Sequence, residues 1–374
     1  MKICIVIGAF LPVPPVKGGG VEKMWFQLAK EFALLGNEVL IISKEYDGFP
    51  KNETIEGVNH LRVSGFETPS NSIHTKVCDL IYARRACKAI PKDFDIIVTN
   101  TFWAPIIIAA SQKSKVYVDV ARMPKGQMLL YRRVGRLRAN SSPVAKAIKD
   151  ELSSEFHKLV KTIPNPLPFN ATDQKFEGER GRRMLYVGRI HPEKGIHLIL
   201  SAMRQIPNPW PLRIVGPWRT SEGGDEHYFR YLESISHNLP VEFVGPVFDF
   251  DELNNEYQTA SLFLYPSLAE KGETFGLAPL EAMAWGCVPV VSDLECFKDF
   301  ISHETNGLIF DHRGTNPDLT LAACLQKIMS NSEKMRTLAE KSIDVRQSHS
   351  PYVIANLFLE DFRKMSIHSE ERST

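Results

Sequence analysis

The sequence predicts an α/β protein built from two Rossmann-like domains in series. Short, almost entirely apolar segments such as KICIVIG (2–8) and EVLIIS (38–43) alternate with segments that have helical periodicity. Strands that are apolar on both faces are typical of parallel sheets that helices cover on each side. The chain has 374 residues, which is long enough for two domains of ordinary size.

The first domain begins with a strand, a glycine-containing loop and a helix. The loop at 9–20 contains the runs PVPP and GGG, and apolar residues at helical spacing then predict a helix at 21–35. Gly36 suits the end of this helix. Further strands are predicted at DIIVTN (95–100) and KVYVDV (115–120). This domain is expected to occupy residues 1–165.

A change of composition separates the two domains. Residues 166–183 are rich in Pro, Asn, Gly and charge, as expected of a linker. The second domain is predicted at 184–345, and residues 346–374 are interpreted as an amphipathic helix with a polar tail. The strands predicted in the second domain are MLYVGRI (184–190), LRIVGP (212–217), VEFVGP (241–246), SLFLYPS (261–267) and VPVVSD (288–293).

Composition restricts the class of protein and of partner. The net charge is only +1, but residues 1–160 have 23 Lys and Arg against 15 Asp and Glu, a balance of +8 that leaves −7 for the rest. The basic first half therefore suggests an anionic partner. No apolar run approaches the roughly 20 residues that cross a bilayer, and the first residues resemble a strand more than a signal peptide. Six scattered cysteines without a CxxC pair predict reduced thiols and a cytoplasmic protein.

The segment GETFGLAPLEAMAWGCVPVV (272–291) carries a glutamate at each end of a stretch that otherwise resembles a buried helix. Glu273 lies at a strand–loop–helix junction, where open α/β sheets bind ligands. Glu281, about one turn inside the helix, can accept hydrogen bonds from vicinal hydroxyls such as those of a ribose. The alternative is a helix-dipole glutamate and a surface glutamate. The helix N-terminus between them can receive a phosphate through the N–H groups of Thr274, Phe275, Gly276 and Leu277.

The same segment resembles the signature of retaining glycosyltransferases of the GT-B fold, in particular family 4. The shared features are Glu273 and Glu281 with seven residues between them, Phe275-Gly276 within that interval, and the runs EAMA (281–284) and PVV (289–291), the latter after Gly286. Other segments match in the same order, namely KTIPNPLPF (161–169), YVGRIHPEKGIHLIL (186–200) and NGLIF (306–310). The resemblance covers most of residues 1–345, strongly in the second half and weakly across 45–140.

The resemblance implies a GT-B fold, in which two Rossmann-like domains face a central cleft and the C-terminal helix packs back on the N-terminal domain. It also implies retaining transfer of a hexose-type sugar from a nucleotide-diphosphate sugar to a glycan, a lipid-linked acceptor or a small molecule. Front-face attack is expected, with a donor phosphate oxygen taking the acceptor proton. Two other functions fit the same fold: a sugar-nucleotide epimerase or hydrolase, and a non-catalytic sugar-nucleotide-binding subunit.

Arg189 and Lys194 are the candidate cations for the leaving diphosphate. They follow a strand end, five residues apart, where two fixed positive charges can stabilise a developing anion. A solvated Arg and Lys on a loop is the alternative. With them, the resemblance implies that Glu273 binds donor-sugar hydroxyls as a positioning and electrostatic residue, and that Glu281 holds the ribose.

The first domain is expected to supply the acceptor side. Gly19 and Gly20 offer amides at a helix N-terminus for the diphosphate, with a flexible turn as the alternative. At the ends of two strands, where many family members carry histidine, this sequence has Asn100 and, around position 121, Asp119 and Arg122. These three are the expected acceptor-side residues.

The stretch from 122 to 138 contains six basic residues and no acid, with apolar residues interleaved. This pattern favours contact with an anionic membrane or an anionic acceptor, and a solvated helix face is the alternative. Nucleic acid is not expected, because no nucleic-acid-binding motif accompanies the stretch.

No metal or other cofactor is expected. Asp93 with Asp95, and Asp249 with Asp251, are formal DxD pairs. Neither pair follows the carboxyl end of a strand, where a metal–nucleotide site would form, and Asp249 suits a helix N-cap.

Overall fold

The computed structural model describes residues 1–69, 71–171 and 180–371. The chain divides into two compact units, Met1–Phe169 together with His349–Thr374, and Asn170–Ser348. Residues 172–179 of the expected linker lie outside the described residues. Within the described ranges, no helix combines the length and apolar character needed to span a bilayer.

The first unit is built on an eight-stranded sheet with the order β3-β4-β2-β1-β5-β6-β7-β8. Only β3 is antiparallel to its neighbour, and β1 lies between β2 and β5 with Ile3 paired to Val39 and Ile96. The strands are β1 Lys2–Val6, β2 Glu38–Lys44, β3 Asn52–Ile55, β4 Val58–Val63, β5 Ile96–Thr99, β6 Val116–Val120, β7 Arg136–Ala139 and β8 Val160–Thr162. Four of these strands, β1, β2, β5 and β6, were expected from their apolar sequences.

Helices cover this sheet, and the first of them begins directly after the glycine loop. Its apolar residues Met24, Trp25, Leu28 and Phe32 are buried at helical spacing. This face packs against the β-branched residues of β1 and β2. The helices of the first unit before the linker are α1 Gly20–Leu34, α2 Ser72–Ala89, α3 Ala104–Ile107 and α4 Ser142–Asp150.

The second unit has a six-stranded, fully parallel sheet with the order β11-β10-β9-β12-β13-β14. The strands are β9 Met184–Val187, β10 Leu212–Val215, β11 Val241–Gly245, β12 Leu262–Tyr265, β13 Val288–Ser292 and β14 Leu308–Phe310. Its helices are α5 Ile196–Arg204, α6 Glu226–Ile235, α7 Phe250–Thr259, α8 Leu277–Ala284, α9 Pro317–Met329, α10 Ser332–Ser342 and α11 Val345–Ser348. The strand order reverses between β9 and β12, and open α/β sheets bind ligands in the crevice at the carboxyl ends of the strands at such a reversal.

The last helix, α12 (Pro351–Glu371), packs on the first unit, as expected. The ring centroids of Phe358 and Trp25 are 5.2 Å apart, and those of Phe362 and Tyr117 are 4.8 Å apart. Between these rings, Asp361 accepts a hydrogen bond of 3.0 Å from the Tyr117 hydroxyl. The C-terminal residues thus complete the core of a unit that starts at the N-terminus.

Candidate functional site

The loops after β9 and β12 bring Lys194 and Glu273 into contact. Lys194 ends a short 3₁₀ helix, Pro192–Lys194, and Glu273 lies in the loop between β12 and α8. Lys194 Nζ and Glu273 Oε2 are 2.7 Å apart, and the two side chains are only 10% and 11% exposed. The crevice of the second sheet therefore holds a largely buried ion pair contributed by two residues that are distant in the sequence.

The close approach of the two loops requires glycine at position 195. Gly195 has a φ of 66°, and a Cβ there would lie 2.1 Å from the carbonyl oxygen of Pro266. Any other residue would therefore have to push the loops apart. A backbone hydrogen bond of 2.7 Å from Leu268 N to Glu193 O adds a second tie between them.

Two stacked tyrosines, Tyr265 and Tyr186, lie beside the Lys194–Glu273 pair. The Tyr265 hydroxyl interacts with Glu273, and the Lys194 ammonium lies 5.3 Å from the centroid of the same ring. Tyr186 stacks on Tyr265 at a centroid distance of 5.8 Å and donates a hydrogen bond of 2.9 Å to the Arg189 carbonyl. Burial, followed by the charge of Glu273, raises the pKa of Tyr265 well above its ordinary value, so Tyr265 stays a hydrogen-bond donor.

The charge on Lys194 is maintained by its partner. Burial alone would lower the pKa of Lys194, but the charge of Glu273 and the hydrogen bond to it act in the opposite direction and prevail. The net effect raises the pKa of Lys194 above its ordinary value. The site thus presents a permanently charged ammonium in a poorly solvated position, where charge–charge interactions are stronger than in water.

Arg189 lies at the same strand end but is not part of the buried pair. Its side chain is 47% exposed. Its guanidinium donates to the Gly223 carbonyl at 2.8 Å and to Glu193 at 2.9 Å. Its positive charge still acts on Lys194, where it opposes the rise of the pKa. Arg189 is therefore a solvent-accessible cation, restrained by an ion pair that an incoming anion would have to displace.

The helix N-terminus expected at 274–277 is the start of α8. Gly276 is the N-cap, and its φ of 92° lies in the left-handed region. A Cβ at this position would lie 2.5 Å from the ring of Phe297, so the approach to that ring also requires glycine. The ring of Phe275 is buried and stacks with Phe300 at 5.1 Å. The aromatic side chain between the two glutamates is therefore part of the core, and the backbone is the part of this segment that suits an anion.

Glu281 lies one turn inside α8 and is 7% exposed. The Tyr257 hydroxyl, on α7, donates a hydrogen bond of 3.1 Å to Glu281 Oε2. This bond fixes the orientation of the carboxylate. Beyond the next turn, the Trp285 indole donates to Asn254 at 2.9 Å and joins the end of the helix to α7.

The expectation that Asp119 lies on the acceptor side is wrong. Its side chain is fully buried within β6, and its two oxygens accept hydrogen bonds from Arg138 at 2.6 Å and from the Trp25 indole at 2.7 Å. Arg138 also donates to the Ile163 carbonyl and to Asn165, both at 2.7 Å. Asp119 thus belongs to an ion pair inside the core of the first unit and has no free face for a substrate.

The basic stretch from 122 to 138 does not form one surface, contrary to expectation. Arg138 is buried in β7, and Arg136 is 17% exposed and pairs with Asp361 at 2.9 Å. The other four basic residues are exposed: Arg122, Lys125, Arg132 and Arg133. Only the part of the stretch that precedes β7 can therefore meet an external partner.

The start of α1 contains a carboxylate that the sequence interpretation missed. Gly20 is the first residue of α1, and the Glu22 carboxylate lies so close to the Gly19 backbone that a side chain at position 19 would overlap it. Glu22 is 8% exposed. Burial raises its pKa, partly opposed by a bond to its own N–H and by the charge of Arg122. A glutamate three residues after a glycine N-cap was the available signal.

The remaining residues expected at the acceptor side lie at strand ends of the first unit. Asn100 directly follows β5 and is half-buried, and within the described part of the chain no hydrogen-bond donor reaches its Oδ1 atom. Arg122 lies in the loop after β6 and is exposed. Asn100 therefore has an amide oxygen available for a further hydrogen bond.

The carboxylates of the DxD pairs have local structural partners. Asp93 binds the Lys2 ammonium at 2.5 Å, and Asp95 accepts a hydrogen bond of 2.8 Å from the Lys2 backbone N–H. Asp249 is the N-cap of α7 and accepts from the backbone N–H groups of Asp251 and Glu252 at 3.0 and 2.9 Å. These bonds account for three of the four carboxylates as stabilisers of the N-terminal strand and of a helix end.

Comparison with known proteins supports the resemblance found in the sequence. Residues 170–345 match the model of the family described as Glycosyl transferases group 1. An uncharacterized glycosyltransferase of Methanocaldococcus jannaschii is 27% identical, and the alignment covers 88% of this chain and 90% of that protein.

Solved structures show the same architecture. Sucrose-phosphate synthase from Thermosynechococcus elongatus aligns with a TM-score of 0.76 and 19% identity, over 98% of this chain and 99% of that one. The Anabaena protein HepE, solved in complex with UDP-glucose, aligns with a TM-score of 0.73 and 17% identity, over 97% and 100% of the two chains. The two Rossmann-like units thus have the expected GT-B fold, and residues 170–345 are similar to the Glycosyl transferases group 1 family.

Proposed function

We propose that this protein is a retaining glycosyltransferase of family 4 that moves a hexose-type sugar from a nucleotide-diphosphate sugar to an acceptor. The observation that carries the proposal is the buried Lys194–Glu273 pair in the crevice of the second unit. The UDP-glucose complex of the structurally similar HepE supports a nucleotide sugar as donor.

In this proposal the second unit binds each part of the donor: the ribose, the diphosphate and the sugar. Glu281, oriented by Tyr257, holds the ribose hydroxyls. The N–H groups at the start of α8 and the ammonium of Lys194 bind the diphosphate. Glu273 accepts hydrogen bonds from sugar hydroxyls and orients the anomeric carbon.

The chemical step is assisted by charges that are already in place. As the bond between the anomeric carbon and the diphosphate breaks, negative charge grows on the leaving oxygen, and Lys194 stabilises it at short range. Arg189 exchanges Glu193 for a phosphate oxygen and adds a second cation. The acceptor hydroxyl attacks from the face that the diphosphate leaves, and its proton passes to a phosphate oxygen of the donor.

We further propose that transfer is independent of a metal ion, since two protein cations are positioned to neutralise the diphosphate. The structural roles of Asp93, Asp95 and Asp249 support this view. All six cysteines are unpaired, which supports the expected cytoplasmic location. The acceptor is a sugar-containing or anionic molecule.

The test replaces each member of the buried pair. Lys194→Ala and Glu273→Ala are each expected to lower kcat by about 100-fold or more, because each removes a group that acts on the reacting centre. Lys327→Ala, which breaks an exposed ion pair with Glu304 in the same unit, is the matched control and is expected to keep wild-type kcat. Near wild-type kcat in both site variants would overturn the assignment.

The donor and the reaction type are established first. A thermal-shift panel with UDP, GDP and ADP identifies the base, because a ligand that binds the native state raises its stability. Incubation with the matching sugar nucleotide alone then separates the alternatives. Rapid turnover without acceptor would identify an epimerase or hydrolase, and binding without turnover toward any acceptor would identify a non-catalytic subunit.

A further inference from the structure

Helix α2 of the first unit carries an apolar stripe on its outer face. Ile73, Val77 and Ile81 lie four residues apart and are 72%, 49% and 38% exposed. Residues spaced by four share one face of a helix. The opposite face contains Tyr82, Ala83 and Ala86, which are fully buried against the sheet.

A second exposed apolar element is the 3₁₀ helix Met128–Tyr131 in the loop after β6. Leu129 and Leu130 are 52% and 55% exposed, whereas Met128 and Tyr131 at the two ends are buried at 1% and 3%. The Tyr131 hydroxyl donates a hydrogen bond of 2.8 Å to the Phe102 carbonyl. The two leucines are therefore held outward by a turn whose ends are anchored in the unit.

The two apolar elements are joined by aromatic side chains. The Trp103 indole donates a hydrogen bond of 2.9 Å to the Lys76 carbonyl in α2. The Phe102 ring packs against Trp103 at 5.0 Å and against Tyr131 at 6.3 Å, and the Lys76 ammonium lies 6.0 Å from the Phe102 centroid. Phe102 and Trp103 thus link α2 to the 3₁₀ helix. The exposed apolar side chains of these two elements, Ile73, Val77, Ile81, Leu129 and Leu130, are together called here the docking surface.

The charges around the docking surface are almost entirely positive. The exposed charged residues of these two elements are Lys76, Arg84, Arg85 and Lys88 on α2 and Arg122, Lys125, Arg132 and Arg133 in the loop after β6. The acid of α2, Asp79, is buried and accepts a hydrogen bond of 3.2 Å from the backbone N–H group of Phe102. Glu151, beside the 3₁₀ helix, accepts from the backbone N–H groups of Gly126 and Met128 at 2.6 and 3.1 Å. The nearby carboxylates thus bind backbone groups, while the cations extend to the exterior.

We propose that the first unit docks on an anionic lipid surface through α2 and the 3₁₀ helix Met128–Tyr131. The apolar side chains enter the interfacial layer, and the surrounding cations bind lipid phosphates. Charge complementarity favours a lipid surface, because exposed aliphatic side chains with a rim of cations satisfy both the apolar and the anionic layers of a bilayer.

The position of the docking surface in the fold indicates the class of acceptor. Residues 100–103 follow β5 and the 3₁₀ helix follows β6, so both lie at the carboxyl edge of the first sheet, where open α/β sheets bind ligands. A lipid-linked acceptor with its headgroup at the membrane surface would be presented at this edge. This assignment of the acceptor rests on the proposed transferase function, whereas membrane docking itself does not.

Vesicle co-sedimentation of the full chain tests the proposal. Binding is expected to vesicles of phosphatidylcholine mixed with phosphatidylglycerol, to weaken with added salt, and to be much weaker with phosphatidylcholine alone. Each cation at such a surface strengthens binding roughly fivefold, so Arg132→Ser with Arg133→Ser should weaken it about 30-fold. Leu129→Ser with Leu130→Ser should also weaken binding, but without changing its salt dependence.

Matched controls come from the same unit. Leu34, which is 78% exposed on α1, and Lys146, which is 78% exposed on α4, lie outside the docking surface. Leu34→Ser and Lys146→Ser should bind vesicles like the wild type, and thermal unfolding should verify that every variant is folded. Equal binding of wild type and both double variants would overturn the proposal, as would absence of vesicle binding or full competition by soluble glycerol phosphate. Because the assay contains neither donor nor acceptor, its outcome is independent of catalytic activity.

Discussion

At the residue scale, the position of Lys194 and Glu273 depends on an aromatic side chain that carries no charge itself. Tyr265 contributes its hydroxyl to Glu273 and its ring face to Lys194. A hydrogen bond to a charged group contributes about 1.5–3 kcal/mol. A cation–π contact in a poorly solvated place contributes about 2 kcal/mol. Tyr265 is therefore a positioning residue for both members of the pair.

Replacement of Tyr265 by phenylalanine separates these two contributions. Tyr265→Phe keeps the ring under Lys194 but removes the hydroxyl that interacts with Glu273, so kcat is expected to fall about tenfold or more while KM for the donor changes less. Tyr265→Leu also removes the ring and should lower kcat further. Steady-state kinetics measures both constants, with Tyr231→Phe, at a 47% exposed position, as the control. An unchanged kcat in Tyr265→Phe would show that the hydroxyl does not orient Glu273.

Some side-chain roles could be predicted from the sequence, whereas others could not. Lys194 and Glu273 both come shortly after a predicted strand, and topology brings the ends of β9 and β12 together, so their proximity was predictable. Asp119 was misassigned because successive residues of a strand point to opposite faces of the sheet. Its partner Arg138 lies on the next strand, and no local pattern indicates that an arginine there is buried.

At the element scale, α12 stabilises the first unit by completing its aromatic core. Phe358 is fully buried and contacts Trp25 and Phe32, with centroid distances of 5.2 and 6.4 Å. The Arg138 guanidinium carbon lies 5.3 Å from the same ring. The single side chain of Phe358, on the final helix, thus covers both apolar residues and the buried ion pair.

Truncation of Phe358 measures this contribution. Phe358→Ala is expected to lower the free energy of unfolding by about 3–5 kcal/mol, because it removes a buried ring and leaves a cavity. Urea denaturation of the full chain gives this difference. Leu357→Ala, at the adjacent, 40% exposed position, is expected to cost less than about 1 kcal/mol. Equal losses in the two variants would mean that α12 is not part of the core.

The elements that the sequence did not reveal share a physical cause. Strands β1, β2, β5 and β6 are central and apolar, so composition identified them. Strand β7 has the sequence RLRA, and its arginines are accommodated by Asp119 and Asp361 instead of by solvent. Strand β3, at the antiparallel edge, alternates between exposed and half-buried residues and lacks an apolar run. Whether these segments form strands thus depends on their pairing partners and on their position at the sheet edge. Both are properties of the folded sheet and are not visible in the local sequence.

At the scale of the whole molecule, the first unit depends on both ends of the chain. The hydrogen bond between Tyr117 and Asp361 joins residues 244 positions apart. The loop-closure entropy of such contacts must be overcome before they stabilise the fold. The second unit, by contrast, is formed by the continuous segment Asn170–Ser348. The first unit therefore cannot be complete until α12 is available.

Two buried histidines of the first unit predict that the protein loses stability in acid. Burial, assisted by the charge of Arg62 and opposed by Glu53, lowers the pKa of His60 from 6.5 to about 4. Burial likewise lowers the pKa of His349 to about 4. Well above pH 6.5 both residues are neutral in the folded and unfolded states, and their protonation does not reduce stability. As the pH falls from 6.5 toward 4, the unfolded chain binds protons that the folded chain excludes, so the free energy of unfolding decreases.

Thermal unfolding between pH 7.5 and pH 4 measures this dependence. The Tm of the wild type is expected to fall through that interval. His60→Gln cannot take up the proton, so its Tm should fall less steeply, with the remaining slope due in part to His349. His74→Gln, at an exposed position on α2, should keep the wild-type slope. If His60→Gln and His74→Gln gave the same slope as the wild type, protonation of His60 would not contribute to acid unfolding, and the buried imidazole would have to be charged in the folded protein.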